Sequence, residues 1–154
     1  MTGGETAVDL TITFSEMHSS NVSGGDTVVR AIDEFPIWAI AASQAAGRSA
    51  LSDAAELRVK EVDRISRLAG ELRKLGMTVD EQPDGFAIDG PIRLHGAEVD
   101  SHGDHRLGMA LAVAGLAADS PTIVHDAACV ADSFPGFVET MRDLGATMEW
   151  IDEE

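Results

Sequence analysis

From Asp33 onward the chain runs twice through the same order of elements. In the first pass the helical stretch EFPIWAIAASQAAG leads into SALSDAA, a second helical stretch ending LRKLG, and the strand-like MTVDE. In the second, RLGMALAVAGLAAD leads into PTIVHDAA, a stretch ending MRDLG, and ATMEW. The Asp-Ala-Ala anchors at Asp53 and Asp126 lie 73 residues apart and the Leu-Gly anchors at Leu75 and Leu144 lie 69 apart, so the copies differ in length by only four residues. The spacing predicts a helix-strand-helix-strand unit repeated over about 33–90 and 105–152, within one domain spanning 1–154.

In each copy the first helix is apolar nearly all round and the second is amphipathic, with Ile65, Leu68, Leu72 and Leu75 on one stripe. Pro36 near its start and Gly47 at its end delimit the first helix. A helix without a polar face is buried on most sides, so the pattern predicts central helices ringed by strands and outer helices. Pro83-Asp84-Gly85 between MTVDEQ and FAIDG reads as an antiparallel hairpin, and Ser23-Gly24-Gly25-Asp26 as a turn. Val8, Leu10, Ile12 and Phe14 alternate with polar residues, predicting a strand over 7–14. The class is α/β (α+β). A doubly wound parallel sheet fits less well, because no glycine-rich phosphate loop follows a strand.

A chain of 154 residues with 44% hydrophobic content can fill one core. It contains no run of 18 apolar residues and no leader-like start, so neither a membrane span nor secretion is expected. The single Cys129 in an apolar context fits a reduced compartment, the cytoplasm. A net charge of -16 repels nucleic acid and anionic lipid. Six of the eleven basic residues nevertheless fall between Arg58 and Lys74, a local patch that can hold a small anion or simply form i,i+4 ion pairs such as Asp63 with Arg67.

Three clusters can carry chemistry. Asp33, before Glu34-Phe35-Pro36, is placed as a helix N-cap worth about 1 kcal/mol, and its carboxylate is also a candidate base. In Arg58-Val-Lys-Glu-Val-Asp-Arg64, Lys60 and Arg64 are suited to clamping a phosphate or carboxylate, and Glu61 beside them to proton transfer. In Gly103-Asp-His-Arg106, Asp104 suits an N-cap while His105 and Arg106 stand beside free helical N–H groups that favour anions. Each string alone is as readily an ordinary charged first turn. His95, His102, Asp104 and His105 match no standard metal-ligand spacing, so no metal site is expected.

Together, Asp33-Glu-Phe-Pro, Arg58-Val-Lys-Glu-x-Asp-Arg64, Gly103-Asp-His-Arg106 and the later Ser133-Phe-Pro-Gly-Phe137 resemble the enolpyruvyl transferase family, in particular the 5-enolpyruvylshikimate-3-phosphate synthases. The resemblance covers nearly the whole chain and corresponds to a C-terminal portion. It implies β-α-β-α-β-β units with buried helices, phosphoenolpyruvate and shikimate 3-phosphate as substrates, and no metal or organic cofactor. It also implies roles: Asp33 takes the proton of the 5-hydroxyl, Glu61 serves the phosphoenolpyruvate methylene, Lys60 lies near the shikimate substrate, and Arg64 and Arg106, with His105 beside them, hold phosphoenolpyruvate. Two positions depart from the family pattern: Val62, where Ser or Thr is usual, and Asp132, where some members carry a lysine. About two-thirds of a family chain has no counterpart here, so the resemblance implies a module inactive alone, completed by an N-terminal polypeptide or prone to self-association. Two other readings stand beside this one: a non-catalytic anion-binding or interaction module, and a transferase of the sister type acting on UDP-N-acetylglucosamine.

Overall fold

The computed structural model describes residues 11 and 13–151. The strand expected over 7–14 lies mostly outside them, and residues 11, 13 and 14 belong to no strand. The chain forms β1 (Asn21–Ser23), α1 (Gly25–Ala31), a 3-10 helix (Ile32–Glu34), α2 (Phe35–Gln44), β2 (Gly47–Ser52), a second 3-10 helix (Ala55–Val59) and α3 (Arg64–Lys74). β3 (Val79–Gln82), β4 (Gly85–Gly90), β5 (Glu98–Asp100), α4 (His105–Leu116), β6 (Ile123–His125), a third 3-10 helix (Ala127–Asp132) and α5 (Phe137–Asp143) follow. A four-stranded mixed sheet has the order β1-β2-β4-β3, with β1 parallel to β2 and β4 antiparallel to both its neighbours, while β5 and β6 form a separate parallel pair.

The two passes of the sequence take the same backbone course at their anchors. Asp53 and Asp126, each directly after a parallel strand or its last turn, both adopt left-handed φ values, 59° and 53°. At the Leu-Gly anchors the helices close alike: Gly76 has φ 91° and Met77 N–H reaches Leu72 O, and Gly145 has φ 97° and Ala146 N–H reaches Met141 O. This is the closure that glycine permits at a helix end, where a Cβ would be strained.

The main core gathers Phe35, Ala39 and Ile40 of α2, Ile65, Leu68 and Leu72 of α3, Phe86 and Ile88 of β4, and Leu107, Leu111 and Ala114 of α4. The stripe read in α3 is the buried one, and the helix begins with the Asp63 carboxylate accepting from Ser66 N–H at 3.0 Å. Asp63 also pairs with Arg58 at 2.8 Å, in place of the i,i+4 partner expected for it. The hairpin turn is Pro83-Asp84, and Gly85 is required for a further reason: a Cβ there would land on the carbonyl oxygen of Leu51 in β2. No helix among the described residues is long and apolar enough to cross a membrane.

Three further expectations need correction. Asp33 is not the N-cap of α2; it sits inside the 3-10 helix that precedes it, and Glu34 occupies the cap position without a side-chain cap bond. The segment 23–26 is more than a turn, since Gly24 and Gly25, at φ 59° and 65°, lead directly into α1. α2 is buried on most sides, as its apolar circumference predicts, with Ile37, 39% exposed, and Ala41 on the one strip left open. ATMEW forms no strand, because within the described residues no neighbour pairs with 146–150 and an unpaired strand has no ladder to hold it.

Candidate functional site

Three segments far apart in sequence converge at the N-terminal ends of α2, α3 and α4. The 3-10 helix before α2 carries Asp33, the junction between the second 3-10 helix and α3 carries Lys60, Glu61 and Arg64, and the first turn of α4 carries Arg106. Their meeting point is the guanidinium of Arg64, whose side chain is 1% exposed. Its Nε donates to Asp104 Oδ2 at 2.7 Å, its Nη1 to Asp33 Oδ1 at 2.9 Å and its Nη2 to Glu61 Oε2 at 2.6 Å. Asp104, fully buried, is also the N-cap expected of α4 and accepts from the amides of Arg106 and Leu107. One carboxylate therefore starts a helix and neutralises the buried cation, joining α3 to α4.

Around this hub the charges alternate. Lys60 Nζ lies 2.9 Å from Glu56 Oε1 and 3.4 Å from Asp33 Oδ1. Arg106 donates from Nη1 to the Asp33 carbonyl and to Glu34 Oε1, both at 3.0 Å. Burial pushes the Asp33 carboxyl up, but Lys60, Arg106 and the Arg64 hydrogen bond outweigh it and hold the group below its ordinary range. Burial likewise disfavours the charged Arg64, and Asp104, Glu61 and Asp33 outweigh it, so the net shift is upward. The hydrogen bond to Glu56 raises the Lys60 ammonium, with Asp33 adding to it.

Of the residues expected to act, the structure brings together Asp33, Lys60, Glu61, Arg64 and Arg106. His105 opens α4 half-buried beside them, and its ring makes no hydrogen bond with the described residues. Arg64 reaches an incoming anion only if Glu61 or Asp33 gives way, since its own side chain is buried and those two partners, unlike Asp104, are half-exposed. Three participants were not anticipated: Glu34, Glu56, and Asp104 as the partner of Arg64. Glu34 carried a signal, being the second acid of the Asp-Glu-Phe-Pro string; the Arg64–Asp104 pair spans 40 residues, and nothing local announces it. Val62 is partly buried and packs against the main core, and Asp132 ends the third 3-10 helix exposed.

Chemically, the cluster offers two half-open carboxylates, Asp33 at 41% and Glu61 at 47%, each beside a fixed cation. Three cations, Lys60, Arg64 and Arg106, face five carboxylates, Asp33, Glu34, Glu56, Glu61 and Asp104. None of these charged groups lines the hollow of about 210 Å³ beside Trp38 or the one of about 470 Å³ beside Leu144. The constellation is assembled around a buried centre, with Asp33 and Glu61 half-open to solvent.

The family model described as EPSP synthase (3-phosphoshikimate 1-carboxyvinyltransferase) matches residues 6–141. A 3-phosphoshikimate 1-carboxyvinyltransferase of Citrifermentans bemidjiense is 49% identical over 141 residues, 92% of this chain and 33% of that protein. One from Acaryochloris marina is 47% identical over 92% of this chain and 31% of its own. Among solved structures, an EPSP synthase from Acinetobacter baumannii superposes with a TM-score of 0.80 at 39% identity, over 86% of this chain and 32% of that one. The enolpyruvyl transferase NikO from Streptomyces tendae shares the fold, with a TM-score of 0.68 at 21% identity over 87% of this chain and 30% of its own. The chain thus spans about a third of the length of the relatives it matches. By its four motifs, its fold and a match that covers most of its length, the chain belongs to the EPSP synthase family.

Proposed function

We propose that the chain is the C-terminal part of a 3-phosphoshikimate 1-carboxyvinyltransferase of the cytoplasm, acting on phosphoenolpyruvate and shikimate 3-phosphate in aromatic amino acid biosynthesis. The observation that supports this most is the convergence of Asp33, Lys60, Glu61, Arg64 and Arg106 from three separate segments. In the reaction the 5-hydroxyl oxygen bonds to C2 of phosphoenolpyruvate while Asp33 takes its proton and the methylene gains one, with Glu61 beside it as the acid. Loss of phosphate and of a methyl proton, returned to Glu61, then restores the double bond in the product. Arg106 and Arg64 balance the carboxylate and phosphate as C2 becomes electron-poor, and Lys60 keeps Asp33 ionised. His105 borders the phosphoenolpyruvate side.

An excess of two carboxylates over cations is a poor field for a multiply charged anion, so further cations must come from outside this chain. A complementary N-terminal polypeptide is the source that fits, and the helix-strand repeats of 33–90 and 105–152 are then two of the units such an enzyme stacks. NMR titration tests the reading: phosphoenolpyruvate at about millimolar concentration should shift the side-chain N–H signals of Arg64 and Arg106, and an uncharged analogue should shift neither. Silence of both signals overturns it, and synthase turnover by the isolated chain overturns the claim that it is incomplete. The same carboxylate excess, with Asp132 exposed, favours a second reading, a module that keeps the fold without turnover.

A further inference from the structure

Helix α3 grips the loop before α4 at two points, and only one of them lies in the charged cluster. Arg64, in its first turn, holds Asp104. Seven residues on, two turns along the same face and about 10 Å away, stands Glu71, whose side chain is 6% exposed. Glu71 Oε2 accepts from the amide of Asp100 at 2.9 Å and from Lys74 Nζ at 2.7 Å, while its Oε1 lies 3.0 Å from His102 Nε2. Burial pushes this carboxyl up, but Lys74, the Asp100 amide and His102 together hold it below its ordinary value. His102 has φ 55° and is followed by Gly103 at 74°, a double left-handed bend that delivers Asp104, His105 and Arg106 to the head of α4. A side chain at such a φ is disfavoured and persists only when its surroundings hold it. The opposite side of the loop is tied to the end of β6 and the residue after it, Ser101 N–H bonding to His125 O and Ser101 Oγ to Asp126 O.

We propose that Glu71 is a positioning residue for the cluster: by anchoring the Asp100 amide and the His102 ring to α3, it fixes the bend from which Arg106 reaches Asp33 and Glu34. That this bend matters for phosphoenolpyruvate rests on the function proposed above; the mechanical coupling does not. Amide hydrogen exchange of the ligand-free chain therefore separates the two, because it reports the coupling whether or not any anion binds. In Glu71→Gln, which keeps shape and loses charge, exchange at the capped amides of Arg106 and Leu107 should quicken by about tenfold, the loss expected of one charge-assisted hydrogen bond, with the β4 amides unchanged. Should that variant not fold, His102→Asn, which tolerates a left-handed φ but is too short to reach Glu71, is read instead, with an expected rise of about threefold at the same amides. Unchanged exchange at Arg106 and Leu107 in a folded variant, or a rise matched throughout β4, overturns the proposal.

Discussion

Replacing Arg64 by methionine keeps much of its buried stem and removes the charge on which three carboxylates depend. Asp33 and Glu61 are half-exposed and can turn to water, so each pairing accounts for at most about 1 kcal/mol. Asp104 cannot, since it is fully buried and would keep only the amides of Arg106 and Leu107 as partners. Stranding one charge of a buried pair costs about 3–5 kcal/mol. For a domain of this size that corresponds to a fall of roughly 6–20 °C in the unfolding midpoint. Urea unfolding followed by circular dichroism measures the loss, and a companion variant isolates its cause. In Arg64→Met/Asp104→Asn the neutral amide still caps α4 but no longer carries a buried charge, so the double variant should be more stable than Arg64→Met by about 1–3 kcal/mol. An Arg64→Met protein within about 1 kcal/mol of the parent, or a double variant no more stable than the single one, would refute the hub.

Three other outcomes follow from the geometry. Asp33 and Glu71 titrate in the folded chain below their ordinary values of 3.8 and 4.5, so the stability they confer is complete above those values and is lost as pH falls through the lowered folded ones. Unfolding free energy measured against pH should accordingly drop below about pH 4.5, and less steeply in Glu71→Gln. Gly85→Ala, which sets a methyl against the Leu51 carbonyl, should cost about 1–3 kcal/mol or more in the same urea assay. At the C-terminal ends of α4 and α5, Leu144 is 79% and Leu116 43% exposed beside one hollow, so sedimentation should show association that rises with concentration and weakens in Leu144→Glu.

Much of the architecture could be read from residue order because the repeat recorded itself in residues with one backbone purpose. Leu75-Gly76 and Leu144-Gly145 announce helix ends since only glycine closes them freely, and the stripe of α3 announces its buried face. Central helices were legible from the apolar length of α2 and α4, but not which side of α2 stays open, because hydropathy says nothing of what is near. The failed strand at ATMEW has the same origin: alternation marks a segment fit to pair, and pairing needs a neighbour. The site's members were visible as strings; their partnerships were not. Asp33 looked like a cap because an acid before Phe-Pro fits one, and the intervening 3-10 turn, one residue out of phase, moved it from helix start to ion pair. Glu71 passed as one more acid in an amphipathic helix, because its partners, Asp100 and His102, lie about thirty residues downstream.

The burial of Arg64 and Asp104 bears on how this family decays. A descendant that no longer turns over substrate still has to fold, and folding alone retains this pair, so the terminal arginine of the Lys-Glu-x-Asp-Arg string and the aspartate before His-Arg outlive catalysis. Lys60 and Glu61, on the open side, have no such protection and drift first. Among silent relatives, erosion should thus begin at Lys60 and Glu61 while Arg64 and Asp104 stay legible.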